Sequence, residues 1–226
     1  MYESKYSNFL TVLLVIIIIA IVGLLAFGGY KVYQQFNSTK DANEFVNSFT
    51  ENISNITQNN NENIAGNNDI LNQVQNTPEG NTNGSSSGKE QTYQGFAVIG
   101  TIEIPKTNVS YPILKEYSTS ALEKSVAMLY GPGPNKPGNT FIIGHNYRNG
   151  QFFANNKNLS KGDKIYITDL SGKKLSYTIY DKFETTAEDS EFLTRDTKGA
   201  REISLQTCTD DATMRLIILA KCDLDS

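Results

Sequence analysis

The 226 residues include one histidine, two cysteines and no tryptophan. So few ligating side chains cannot supply the Cys/His set of a structural zinc site, and no metal centre is expected from them. Two cysteines make no disulfide framework either, so any domain in this chain must be held by its apolar core. Neither G-x-x-x-x-G-K-[ST] nor G-x-G-x-x-G occurs, which leaves nucleotide chemistry without support. A basic surplus is missing as well. Residues 1–92 carry four Lys+Arg against eight Asp+Glu, whereas residues 93–226 carry sixteen of each. A nucleic-acid binder needs positive charge to meet phosphates, so no such partner is expected.

What the sequence does have begins with a long apolar run. Residues 9–30 hold no charge, eighteen of the twenty-two are apolar, and Val12–Val22 is unbroken. At 1.5 Å rise per residue the run spans roughly 30 Å, the thickness of a bilayer's hydrocarbon core. Residues 1–31 are therefore read as a membrane anchor. A cleavable leader is the alternative, since Ala26-Phe27-Gly28 loosely resembles a small-x-small site. The run exceeds the usual leader core, however, and no Lys/Arg-rich segment precedes it. Lys5 and Lys31 flank it symmetrically, so charge gives almost no orientation.

Residues 32–92 read as stalk and linker. Fifteen Asn fall within residues 37–92. Ala42, Val46, Phe49, Ile53 and Ile56 recur at 4-3-4-3 spacing, a heptad stripe barely two repeats long. The stripe suits either a short helical stalk or seam, or a marginal helix that continues the membrane span and frays. The second reading is preferred. Thr77–Thr92 is a Gly/Ser/Asn-rich linker with nothing to bury.

From residue 93 to 226 the texture becomes that of an all-β domain. Apolar and β-branched runs fall at Phe96–Ile104, Val109–Leu114, Thr140–Gly144, Lys164–Thr168, Leu175–Thr185, Glu202–Thr207 and Arg215–Lys221, with Pro/Gly-rich turns between them. Helices are expected near Ser118–Val126 and, more weakly, over Gly150–Leu159. The pattern suits a closed barrel or sandwich.

The chemistry concentrates at strand ends. His145, the sole histidine, ends the run Phe141-Ile142-Ile143-Gly144. Cys208 ends another, before the polar turn Asp210-Asp211, and Arg215 opens the next. Taken singly, these are a structural His, an inert thiol and a solvated edge charge. If the last two runs form a hairpin, Cys208 and Arg215 share its loop end. A thiolate needs adjacent positive charge, and a tetrahedral oxyanion needs a donor. Cys222 then lies roughly 20 Å away at the other end, too far for a disulfide.

The anchor, the opening Ile99-Gly100-Thr101-Ile102-Glu103-Ile104-Pro105, the G-H-N at 144–146, the L-x-T-C at 205–208 and the R-L-I-I seven residues on together resemble the sortases. The resemblance covers residues 93–226. It implies a closed eight-stranded β-barrel with one or two short helices, carried by a single-pass membrane protein of a Gram-positive bacterium with its catalytic domain outside. It further implies a cysteine transpeptidase with His145, Cys208 and Arg215 as catalytic residues, and Asn146, Leu205 and Thr207 as substrate-binding positions. Partners would be surface proteins bearing an L-P-x-T-G-like or N-P-x-T-N-like sorting signal, and a cell-wall or pilin amine. No cofactor is implied, and the acidic Glu184–Glu191 loop offers a Ca²⁺ site at most. Val109-Ser110-Tyr111-Pro112-Ile113 and Gly150-Gln151-Phe152-Phe153 resemble class B, while the Pro/Gly-rich approach to His145 is closer to classes A and D. A rival from a different functional class is a membrane-tethered, non-catalytic β module that binds cell-wall or partner protein, with His145 and Cys208 merely structural.

Overall fold

The computed structural model describes residues 3–65, 91–147 and 149–225. The chain divides into two compact units, Met1–Asp41 and Ala42–Ser226.

Helix α1 is Glu3–Ala65. Within the first unit it carries Phe9–Tyr30, with a mean hydropathy of 3.3 and no part of that span buried in the protein, long and apolar enough to cross a membrane. Within the second unit the heptad stripe has a partner. Ala42, Val46, Phe49 and Ile53 are buried at 0–5% exposure, and Ala42, Phe49 and Ile53 join the barrel's own core cluster. The Phe45 ring meets Tyr93 edge-on at 5.2 Å. Ile53 lies against Gly172 so closely that a Cβ there would sit 2.2 Å from its Cγ2. The expectation of a marginal, fraying helix is thus corrected: the stripe buries apolar area against the barrel, and tertiary packing supplies what two heptads cannot. The side chain of Ile56 and the Thr77–Glu90 linker lie outside the described residues.

Among the described residues nine strands follow: β1 Thr92–Tyr93, β2 Phe96–Ile104, β3 Val109–Leu114, β4 Val126–Tyr130, β5 Gly138–Ile143, β6 Lys164–Asp169, β7 Lys174–Thr185, β8 Arg201–Cys208 and β9 Arg215–Cys222. The sheet order is β1-β2-β3-β4-β5-β8-β9-β7-β6, and β2 also pairs with β6. That pairing closes β2–β9 into the eight-stranded barrel that the resemblance implied, with two-residue β1 alongside β2. Most pairs are antiparallel, but β3–β4 and β5–β8 are parallel.

Two local expectations fail. The helix near Ser118–Val126 shrinks to α2, Thr119–Leu122, capped by the Ser118 side chain accepting from Ala121 N. Val126–Tyr130 is instead β4, because Val126 and Ala127 pair with Ile113 and Leu114. An apolar run of five cannot reveal that choice by itself. The weak helix over Gly150–Leu159 is only a 3₁₀ turn at Asn156–Asn158. Phe152 there has φ of +52°, outside any helical ladder, and the segment tucks Phe152, Phe153, Ala154 and Leu159 under the barrel end.

Candidate active site

Register brings the three sequence candidates together. Cys208 of β8 and Arg215 of β9 are directly paired, so both side chains project from the same face of the sheet. On the other side of β8, parallel β5 pairs Ile143 with Gln206, and Gly144 N still donates to Gln206 O at 3.1 Å. β5 ends there, so His145 lies two residues past that last pair and Cys208 two residues past Gln206. Alternation then gives the two sides different content. Cys208 and Arg215, with Thr185 paired to Arg215 from β7, form one row on one side. Thr207, Leu216 and Glu184 form the adjacent row on the other.

The local sequence explains why the His is held there. A Cβ at Gly144 would lie 2.9 Å from both the Phe153 ring and Val126, so only glycine lets these groups close beneath the strand end. Phe153 N donates to His145 O at 3.1 Å. The His145 ring stacks on Tyr147 with centroids 4.6 Å apart and planes 17° apart, Tyr147 meets Phe152 at 5.5 Å, and Phe152 meets Tyr111 at 5.1 Å. Burial lowers the His145 pKa from its ordinary value, an effect the Glu123 carboxylate opposes. The imidazole is therefore mainly neutral at pH 7.

Cys208 is a free thiol, part-exposed. Arg215 is half-buried, and its Nη1 donates to the Met214 carbonyl at 3.2 Å. Among the described residues its guanidinium forms no ion pair. This differs from Arg195, which is committed to Glu202 at 2.6 Å and to Ser204 Oγ at 2.9 Å. Arg195 pins the 186–200 loop over the same face as Cys208, helped by Asn139 Nδ2 donating to Leu193 O at 3.0 Å and Phe192 packing on Phe141 and Phe183. Cys222, at the far end of the hairpin, is fully buried and pairs with Tyr177.

The three substrate-binding candidates differ in exposure. Leu205 is 1% exposed within the core cluster. Thr207 is 4% exposed, one residue before Cys208 and so on the opposite face of β8, and its hydroxyl has no partner among the described residues. Asn146 lines, with Cys208, Thr207, Lys157, Asp210 and Glu184, a cavity of about 360 Å³ at the strand ends. The calcium expectation for Glu184–Glu191 has no support. Among the described residues no group of three or more His, Cys, Asp or Glu is placed to hold a metal ion. Asp189 serves its own loop, accepting from the Thr185 hydroxyl and from Glu191 N. Sequence reading missed Tyr147 and Glu123. Tyr147, two residues past the His, was visible as an aromatic neighbour; Glu123 reaches His145 only through the fold.

Comparison with known proteins agrees with this geometry. The Sortase domain family profile matches residues 102–223, more than half of the chain. Sortase A of Streptococcus agalactiae is 32% identical over 139 residues, covering 56% of this chain and 53% of its own length. Sortase A of Bacillus anthracis is 31% identical over 124 residues, covering 54% and 58%. The chain thus spans little more than half the length of these relatives. Among solved structures, a sortase D5 transpeptidase of Clostridium perfringens superposes with a TM-score of 0.51 at 30% identity, over 56% of this chain and 79% of that one. Sortase A of Corynebacterium diphtheriae gives 0.51 at 29%, over 56% and 61%. With a closed eight-stranded barrel and a family profile that spans nearly all of it, this chain belongs to the sortase family.

Proposed function

We propose that this protein is a membrane-anchored cysteine transpeptidase acting on a C-terminal sorting signal. The observation that carries the reading is the strand-end cluster: a part-exposed thiol directly paired with an arginine free of carboxylate partners among the described residues, and a mainly neutral imidazole two residues past the end of the neighbouring strand. Cys208 Sγ gives up its proton to His145 and attacks the threonine carbonyl carbon of an L-P-x-T-G-like or N-P-x-T-N-like segment. Arg215 donates to the developing oxyanion. The C–N bond breaks, the leaving amine takes a proton from His145, and a thioacyl-enzyme remains. An acceptor amine then attacks the thioester, the C–S bond breaks, and its proton passes to His145 as the thiol is restored. Both the broken and the formed bonds are amides, so no nucleotide is consumed.

The acceptor in this reading is an amine of a cell-wall precursor or a pilin. The Phe9–Tyr30 span supports a membrane anchor; in this reading it crosses the plasma membrane of a Gram-positive bacterium once, with the barrel outside. In this assignment Leu205 and Thr207, both buried, support the strand ends, and Asn146 lines the cavity beside Cys208.

The test is intact-mass spectrometry of the full chain in detergent, incubated with each peptide and no acceptor. A thioacyl adduct mapped to Cys208 and missing in Cys208→Ala is the expected result. An unmodified Cys208 with every peptide overturns the assignment.

A further inference from the structure

The geometry points to Asn146 as a positioning residue that fixes the spacing of His145 and Cys208 at the strand ends. The inference deepens the transpeptidase reading and rests on it. The β5–β8 ladder runs out just before the chemistry: its last pair is Ile143 with Gln206, and its last backbone bond is Gly144 N to Gln206 O. His145 and Cys208 therefore stand where the two strands are already leaving one another for different loops. At this point one side chain takes the place of the missing ladder bond. Asn146 Nδ2 donates to Cys208 O at 3.0 Å and to Asp210 Oδ1 at 3.0 Å. A carboxamide NH₂ has two hydrogens, and these two bonds engage both.

The contact continues into the segment that follows the histidine. Asp210 Oδ2 pairs with Lys157 Nζ at 2.7 Å, and the Lys157 carbonyl accepts from Lys182 Nζ of β7 at 2.9 Å. Asn146 is also bridged, in antiparallel fashion, to Phe152. Thus the His145 segment is tied to the Cys208 strand at residue 146 and to the Cys208 turn at residue 157. Asn146 reaches the nucleophile through its backbone carbonyl rather than its sulfur, at the edge of a cavity that both residues line. The Asp210–Lys157 pair is about half exposed on both sides, where ion pairs contribute little to stability. Alignment is a different matter, since a misplacement of about 1 Å between reacting groups costs on the order of a hundredfold in rate.

The experiment uses the full chain and follows two rates: thioacyl formation with a sorting-signal peptide, and alkylation of Cys208 by iodoacetamide. Asn146→Ala is expected to lower the acylation rate constant about 10–100-fold, with KM for the peptide within about twofold and a thermal midpoint within a few degrees of wild type. Asp210→Asn keeps an acceptor for Asn146 but loses the Lys157 charge pair, so its loss is smaller. The alkylation rate separates positioning from a general weakening of the fold. Asn146→Ala is expected to slow alkylation when His145 is present and to change nothing in a His145→Ala background, because Asn146 acts on Cys208 through the imidazole's placement. Equal slowing in both backgrounds, or acylation by Asn146→Ala within twofold of wild type, overturns the inference. Failure of the wild-type chain to form any thioacyl adduct overturns the transpeptidase reading beneath it.

Discussion

The two cysteines sit at opposite ends of one hairpin and differ in everything except their chemistry. Cys208 closes β8 beside a turn, part-exposed and paired with Arg215. Cys222 closes β9 with 0% exposure, paired with Tyr177, whose phenol is pushed up first by burial and then by this neighbouring thiol. A thiol becomes a nucleophile when it is reachable beside positive charge and its backbone is fixed, and it becomes packing when burial closes it off. The hairpin shows that eight residues of strand separate these two fates.

Several substitutions break or sharpen that contrast. The largest effect is expected from Cys208→Ala, which abolishes splicing while leaving the circular dichroism spectrum unchanged; splicing that survives would make the two cysteines functionally alike. Arg215→Lys is next. It keeps the charge but loses the planar fork, so kcat/KM is expected to fall on the order of a hundredfold; wild-type turnover would remove Arg215 from the oxyanion. Away from the chemistry, Cys222→Ser puts a hydroxyl at a fully buried position and is expected to cost about 1–3 kcal/mol in denaturant unfolding, with kcat unaltered. The smallest effect belongs to Glu123→Gln. Glu123 raises the His145 pKa against the lowering by burial, so its removal lowers that pKa further. The neutral imidazole then persists to lower pH, and the acid limb of kcat/KM moves to lower pH. The linked stability term has a definite sign as well. With the folded pKa below the unfolded one, stability is whole above about pH 6.5 and is lost as pH falls through the folded value.

The candidate site was legible because its residues end, follow or open strands whose apolar runs show in the sequence, and hairpin geometry alone pairs Cys208 with Arg215. The strands themselves were legible where they alternate or run long, as in Lys164–Asp169 and Lys174–Thr185. Val126–Tyr130 was not, since its identity as a strand comes from parallel pairing with Ile113 and Leu114, twelve or more residues away. The stripe from Ala42 to Ile53 was visible as a pattern, but its partner was not. Tyr93 and Gly172 come to it only through the closed barrel. Phe49 is 1% exposed there, so Phe49→Ala is expected to cost about 3–5 kcal/mol, measured by denaturant unfolding of the full chain; an unchanged midpoint would mean that the stripe does not pack on the barrel. The role of Asn146 was hidden for a similar reason. A G-H-N tripeptide names the neighbour of a catalytic histidine, but the carbonyl that its amide holds lies 62 residues further along.

The most direct test of the account is splicing by the full chain in detergent, with L-P-x-T-G and N-P-x-T-N peptides and an oligoglycine or diamino acceptor, read by mass spectrometry. A product joining the threonine carbonyl to the acceptor amine, formed by wild type and by Cys222→Ala but not by Cys208→Ala, is the predicted result. A product that still forms in Cys208→Ala, or none in the wild-type chain with any pairing, contradicts it.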